Sequence, residues 1–438
     1  MSLVILDFVP NRSVSNDGGT GPVALKSVST WLACTPSFQR RLRGLVDFQY
    51  TLATCSCQTD CLWYTFCGTM WIECRCAYRL LLPYPMECLM TLVVDAHEDI
   101  GWNVLALGRD VRRSALETRR LELKSDVPKQ NGICMVGLPE WLEGNVAVVF
   151  GTIYVSPARR GHRSGPQVYS NAEEAYALAQ KQLDVYQRLA DEEQMALVNS
   201  EEHLERVLES WEGESPTVGI VPLMEGADPI REPVEAELWL ERGVRIVGLS
   251  WKAGTRYAGG DAAGGPLTDL GRELLTVMAD LGMVLDVSHL AEESFFEAVE
   301  RFEGCVVATH ANPRAMVPGS RQLSDDMIRR VVERDGVVGI VPANPFLRPD
   351  WRTTQATLDD VVAAIDHVCQ VVGDAAHVGL GSDFDGGLGA DDTPPELDTV
   401  ADLQRIGPAL GEAGYDEKHV EAILGGNWLR VLESALPS

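Results

Sequence analysis

"MTLVVDAHEDIGWN", residues 90–103, decides how the rest of the chain is read. Its first half, Leu92–Asp95 with Thr91 before it, is an apolar β-branched run that reads as a buried strand. The run leads directly into His97, Glu98 and Asp99, three side chains that prefer charge, hydrogen bonds or metal. Alternate residues of a strand share a face, so His97 and Asp99 point together while Glu98 points away. A dry strand that ends in a polar pair is what a parallel barrel places at its rim.

The same grammar recurs along the chain. Further apolar runs lie at Val146–Val155, Val218–Met224, Val244–Ser250, Met283–Val287, Cys305–Ala308, Gly336–Pro342 and His377–Gly381. Amphipathic segments separate them. "NAEEAYALAQKQLDVYQRLADE" opens on Asn171 as a helix cap and carries acids in its first turn. "PVEAELWLERG" and "LTDLGRELLTVMADLG" stop at Gly243 and Gly282. "LSDDMIRRVVERDG" starts at Ser324, and "TLDDVVAAIDHVCQVVG" follows. Eight strands alternating with helices predict a (β/α)₈, TIM-type barrel. An open doubly wound sheet is the alternative, but no GxGxxG follows the first strand.

Composition divides the chain at residue 90. Eight of the 11 cysteines precede it, and residues 1–89 carry seven Lys/Arg against six Asp/Glu. The net charge of −27 therefore belongs almost wholly to residues 90–438. Residues 1–89 show no sustained period and no paired CxxC, so they read as a Cys-rich extension without a stable fold. The reading favours upstream sequence translated from an early start, with Met90 as initiator; a small zinc-binding module is the alternative. Residues 90–438 form the barrel domain. Strong acidity argues against nucleic acid and anionic lipid as partners. No stretch has the length of a membrane helix, no signal peptide is evident, and sparse cysteines in the main body suit a reducing cytoplasm.

Barrels carry their active sites where the strands end. The predicted ends bring up His97 and Asp99, then Tyr154, Glu225, Trp251, His289, His310, and finally Asp383 and Asp385. Three of only eight histidines fall at such ends; His162, His203, His367, His377 and His419 do not. Imidazoles and carboxylates converging on one rim suit zinc or a similar divalent ion, which offsets the cost of buried charge. A carboxylate such as Glu225 can bridge two ions. Two ions about 3.5–4 Å apart would share a water and hold it as hydroxide.

"DAHEDI", "MEGADP", "LDVSHL", "THANPRAMVPGSRQLSDD", "VGLGSDFDGG" and "GGNWLRVL" occur in this order over residues 91 to about 435. Together they resemble the membrane dipeptidase (renal dipeptidase) family of binuclear zinc peptidases. The resemblance implies hydrolysis of dipeptides by a hydroxide bridging two zinc ions. It implies His97 and Asp99 on the first ion, Glu225 bridging, and His289 and His310 on the second. It implies Arg321 as the clamp for the substrate carboxylate and Asp383 as the proton-transfer residue. On the residues alone, Arg321 reads rather as a partner for Asp325 or Asp326, and the "SDFDGG" acids as turn residues, Asp385 more so than Asp383. The family histidine after strand four is Trp251 here. An indole donates one hydrogen bond but never becomes cationic. That leaves carbonyl polarisation to Lys252, Arg256 or the metal, with Trp251 and Tyr154 contacting substrate or walling the pocket. A homodimer is an open option. The alternatives are a binuclear barrel hydrolase of amides, lactones or esters, and a non-catalytic metal-binding homologue.

Overall fold

The eight apolar runs close into one parallel ring. In this computed structural model the strands are β1 (Val93–Glu98), β2 (Val146–Tyr154), β3 (Val218–Glu225), β4 (Ile246–Gly248), β5 (Val284–Asp286), β6 (Val306–Val307), β7 (Val338–Ile340) and β8 (Val378–Leu380). They pair in the order 6-5-4-3-2-1-8-7, and a parallel bridge between Ala308 and Val338 joins β6 to β7. The expected (β/α)₈ barrel is therefore present. The paired segments are mostly shorter than the apolar runs. A short strand, Met195–Leu197, pairs with the first residues of β3 outside the ring.

The structure describes residues 91–158, 165–192 and 194–437, and three further strands at Cys61–Phe66, Thr69–Cys74 and Arg79–Pro83. Those three pair antiparallel in sequence order within a separate unit, Met1–Met86; the barrel lies in the second unit, Glu87–Ser438. Apart from these three strands, residues 1–90 lie outside the described residues, and with them the readings of an extension without a stable fold and of Met90 as initiator; His162 lies outside them too. Among the described residues no helix is long and apolar enough to cross a membrane.

Helices form where their end signals predict. Asn171 caps Ala172–Ala190 by accepting from the Glu174 N–H. Thr268 caps Asp269–Asp280, and Ser324 caps Asp325–Val332, each through its side-chain oxygen. Thr357 and Asp360 form a reciprocal capping box at the start of Leu358–Val372, which ends at Gly373 with φ +93°. Each side-chain cap satisfies an N–H that the helix itself leaves unpaired.

One detail sets the shape of the rim, and a second the packing of the barrel interior. Asp95 and Glu98 of β1 pair with Val149 and Gly151 of β2, so β1 carries one extra residue there. Such a bulge bends a strand and re-aims its side chains. It falls between the core positions Val94 and Ala96 and the rim residues His97 and Asp99. The second detail lies at the bottom of the barrel. Trp428, on the last helix Asn427–Ala435, is fully buried against Phe150, with ring centroids 5.3 Å apart. Its indole N–H donates to the Leu380 carbonyl at 2.9 Å. Only glycine fits beside it, since a Cβ on Gly379 would lie 2.4 Å from the indole nitrogen.

Trp428→Ala is expected to destabilise the barrel by about 3–5 kcal/mol, the usual cost of emptying a buried aromatic site. Denaturant unfolding followed by intrinsic fluorescence checks this. An unchanged midpoint would show that the helix does not plug the barrel.

Candidate metal centre and active site

β3 delivers the central carboxylate. Its interior positions run Val221, Leu223, Glu225, and Glu225 stands at the rim beside Tyr154 of β2 and Gly248 of β4. Three imidazoles converge on it. His289 Nε2 and His310 Nε2 lie 3.2 Å and 3.4 Å from Glu225 Oε1. His97 Nε2 lies 4.0 Å from the other oxygen, Oε2. Asp99 and Asp383 join the His97 side of the cluster, each with a carboxylate oxygen within 4.8 Å of the others and of a His97 ring nitrogen. The structure thus brings all five expected ligands and Asp383 together. Glu225 faces one imidazole with one oxygen and two with the other.

The electrostatics of the cluster need a cation. Burial holds the His97 and His310 imidazoles well below their ordinary pKa, and burial with the nearby Arg321 charge takes His289 to about 3. The rings are therefore neutral and offer lone pairs. Burial also pushes Glu225 and Asp99 well above the carboxylate range, with Asp383 repelling both. Arg321 offsets the crowd only in part, since it lowers the Glu225 and Asp383 carboxyls against a larger effect of burial. His97 Nε2, His310 Nε2 and Asp99 Oδ1 are buried without a hydrogen-bond partner. Orphaned lone pairs of N and O type fit divalent ions of the zinc kind.

A second layer fixes the rings. His289 Nδ1 lies 2.8 Å from Asp261 Oδ2, which makes Nδ1 the protonated nitrogen and turns the Nε2 lone pair inward. Thr309 does the same for His310. Its hydroxyl donates to Asp286 Oδ2 at 2.6 Å and so accepts from His310 Nδ1, 2.9 Å away; His97 Nδ1 lies 3.4 Å from it. Asp286 is held in turn by the N–H groups of Ser288 and Thr309, both at 3.0 Å. The sequence reading missed Asp261, Asp286 and Thr309. Thr309 and Asp286 flank ligands in "THANP" and "LDVSHL", but Asp261 sits in a glycine-rich loop without any signal.

The remaining candidates separate cleanly. Asp383 has φ +56° and sits half-buried at the rim. Burial raises its carboxyl to about 7 against the pull of Arg321 and Lys252. Only glycine fits next to it: a Cβ on Gly386 would stand 2.1 Å from Asp383 Oδ1 and 2.8 Å from Asp99 Oδ2. Asp385 is structural. Its carboxylate accepts from the Met135 N–H at 2.9 Å and pairs with Arg109 at 3.2 Å. Glu98 turns away from the centre and accepts from the Trp141 indole at 3.0 Å.

Arg321 lies at the rim, not with Asp325, which pairs with His367. Its Nη2 donates to the His310 carbonyl at 2.7 Å, while Nη1 is buried without a partner. Trp251 packs between Tyr154 and His289, at ring-centroid distances of 4.9 Å and 6.1 Å. Of its cationic neighbours, Arg256 is committed elsewhere, donating to the Ile230 and Arg231 carbonyls. The Lys252 ammonium is exposed and lies 5.0 Å from the Trp251 ring centroid.

The sequence signature of the membrane dipeptidase family, Peptidase family M19, matches residues 88–436. The chain belongs to the membrane dipeptidase family. It is thus a metallopeptidase, a hydrolase. A Klebsiella pneumoniae protein from the pqqA 5′ region is 35% identical over 231 residues, covering 50% of this chain and 83% of that one. Dipeptidase aclJ of Aspergillus oryzae is 27% identical over 359 residues, 80% of this chain and 79% of its own. A metallopeptidase from Rhodobacter sphaeroides, crystallised with a phosphinate mimic of the dipeptide L-Ala-D-Ala, superposes with a TM-score of 0.64. It shares 25% identity and covers 79% of this chain and 99% of its own. Trp251, where the resemblance implies a histidine, is packed here between Tyr154 and His289.

Thr309→Val keeps the shape of residue 309 and removes the hydroxyl between Asp286 and the imidazoles. The expected result is metal affinity weaker by roughly 10–100-fold, the usual cost of losing such a partner. Competition with a graded chelator measures it; wild-type affinity would refute the relay.

Proposed function

We propose that this M19 metallopeptidase hydrolyses dipeptides with two divalent ions, zinc by the chemistry of the donor set. The observation that carries the reading is the clustering of five buried N and O donors beside one guanidinium whose Nη1 is left unpaired. His97 and Asp99 would hold the first ion, His289 and His310 the second, and Glu225 both. When bound, such ions supply Lewis-acid activation of water and of the scissile carbonyl.

The chain's own residues do the rest. Arg321 binds the free carboxylate of the substrate through its planar fork of donors, which point charges such as Lys cannot match. Asp383 Oδ accepts the proton of the attacking water and passes it to the departing amine nitrogen. A carboxyl raised toward neutrality suits both halves of that transfer. Tyr154 and Trp251 line one side of the pocket and keep bulk water from it. Support for a dipeptide comes from the R. sphaeroides neighbour, which binds a dipeptide mimic on the same fold.

Purified protein supplied with zinc is expected to release free amino acids from dipeptides, and a chelator to abolish the release. A panel of L-L and L-D dipeptides, read by amino-acid analysis, is the measurement. Complete lack of turnover across the panel would sink the reading.

Asp383→Asn should lower kcat by about 10²–10⁴-fold, the range for a general acid–base group, while bound metal stays at the wild-type level. Elemental analysis and steady-state kinetics on one sample separate the two effects. Near-normal turnover would remove Asp383 from the proton path.

A further inference from the structure

Arg321 is linked to the two histidines that face Glu225 Oε1, and to each by a different route. Its Nη2 donates to the backbone carbonyl of His310 at 2.7 Å. Its Nε lies 3.6 Å from Asp261 Oδ2, an ion-pair distance too long for a hydrogen bond, and the same oxygen stands 2.8 Å from His289 Nδ1. One carboxylate oxygen therefore faces both a candidate ligand of the second ion and the candidate clamp. On its other side the guanidinium lies over the Phe346 ring, 5.2 Å from the centroid.

Asp261 has no freedom to relax away. Its backbone N–H donates to the His289 carbonyl at 2.9 Å, Ala291 N–H donates back to the Gly259 carbonyl at 3.0 Å, and Gly260 bridges Leu290. The loop packs so closely that a Cβ on Gly260 would lie 2.1 Å from the Trp251 carbonyl oxygen. Arg321 is its cationic neighbour.

We propose that Asp261 is a positioning residue that fixes the spacing between the second-ion ligand His289 and the carboxylate clamp Arg321, and so restricts cleavage to the bond that leaves a single residue on the carboxyl side. The proposal rests on the dipeptidase reading above. In a dipeptide, one residue separates the scissile carbonyl from the free carboxylate. Each added residue carries the carboxylate up to about 3.3–3.6 Å further along an extended chain. A hydrogen bond tolerates only a few tenths of an ångström. A clamp held at a fixed distance from the ion ligands thus rejects chains with more than one residue beyond the scissile bond, whereas a clamp on a loose side chain would follow them.

The test compares full-length wild type, Asp261→Asn and Asp261→Ala. Substrates are a dipeptide, its C-terminal amide and a tripeptide whose cleavage at the first peptide bond is followed; metal affinity is read separately by chelator competition. Asparagine keeps the oxygen for His289 and loses the charge facing Arg321. It is expected to raise KM for the dipeptide about tenfold with kcat nearly unchanged, to leave the amide unaffected, and to narrow the preference over the tripeptide. Alanine should in addition weaken metal binding roughly 10–100-fold. Wild-type discrimination in both variants would overturn the proposal, as would an equal loss on acid and amide, which marks a merely structural role. If wild type turns over no dipeptide, the functional reading fails by itself. Asp261 is then judged by calorimetry with a phosphinate pseudo-dipeptide and its carboxyl ester. A preference for the free acid that shrinks in Asp261→Asn supports the proposal; an unchanged preference, or no binding to wild type, overturns it.

Discussion

The rim of this barrel is organised around one carboxylate, Glu225, buried among three neutral imidazoles and two further acids. Such a cluster is costly without a cation, because burial disfavours charge on the acids and deprives the ring nitrogens of water. Its cost is tolerable only if the surrounding fold holds every donor in place for an ion. Much of the rest of the structure serves that end. The β1 bulge lies next to His97 and Asp99, αL backbone at His289 and Asp383 turns two strand ends, and Gly386 leaves room for the Asp383 and Asp99 carboxylates. Strained or sparsely populated backbone of this kind persists where packing over-determines it.

Behind the donors stands a layer that carries no formal place in the chemistry but sets its geometry. Asp261 fixes the tautomer of His289, and Asp286 through Thr309 fixes that of His310. Each ring is left with one protonated nitrogen facing outward and one lone pair facing Glu225. The same layer reaches Arg321, which donates to the His310 carbonyl and lies within ion-pair distance of Asp261. His289, His310 and Arg321 are therefore joined by one set of contacts.

The fold was largely legible in the sequence because parallel strands buried on both faces leave a simple trace: short continuous apolar runs between amphipathic helices. All eight runs became barrel strands, and the helix caps at Asn171, Ser324 and Thr357 formed as their residue types predict. The candidate ligands were legible for a related reason: each interrupts an apolar run at its end, where a polar side chain is conspicuous. Glu98 was placed correctly away from the centre, against Trp141; Asp385 also stands away from it, but its carboxylate is held by the Met135 N–H and Arg109, remote in sequence, and not by the expected turn. Arg321 was different, since its immediate neighbours in sequence suggest an ion pair with Asp325 or Asp326. Only the resemblance pointed it toward the pocket, and the fold brings it to the His310 carbonyl.

What the sequence determined by itself is the barrel, the strand ends and the chemical kind of the site, since these depend on periodicity and on residue type over short spans. What only the tertiary structure decided is which groups stand behind the ligands and how far apart they are held. Asp261 lies 28 residues before His289 in a loop of glycines, and no local pattern links it to that histidine or to Arg321. Their meeting depends on the ring closing, on the loop after β4 folding over the end of β5, and on backbone approaches that only glycine permits. Those are relations of distance between segments remote in sequence, which residue spacing along one chain does not encode.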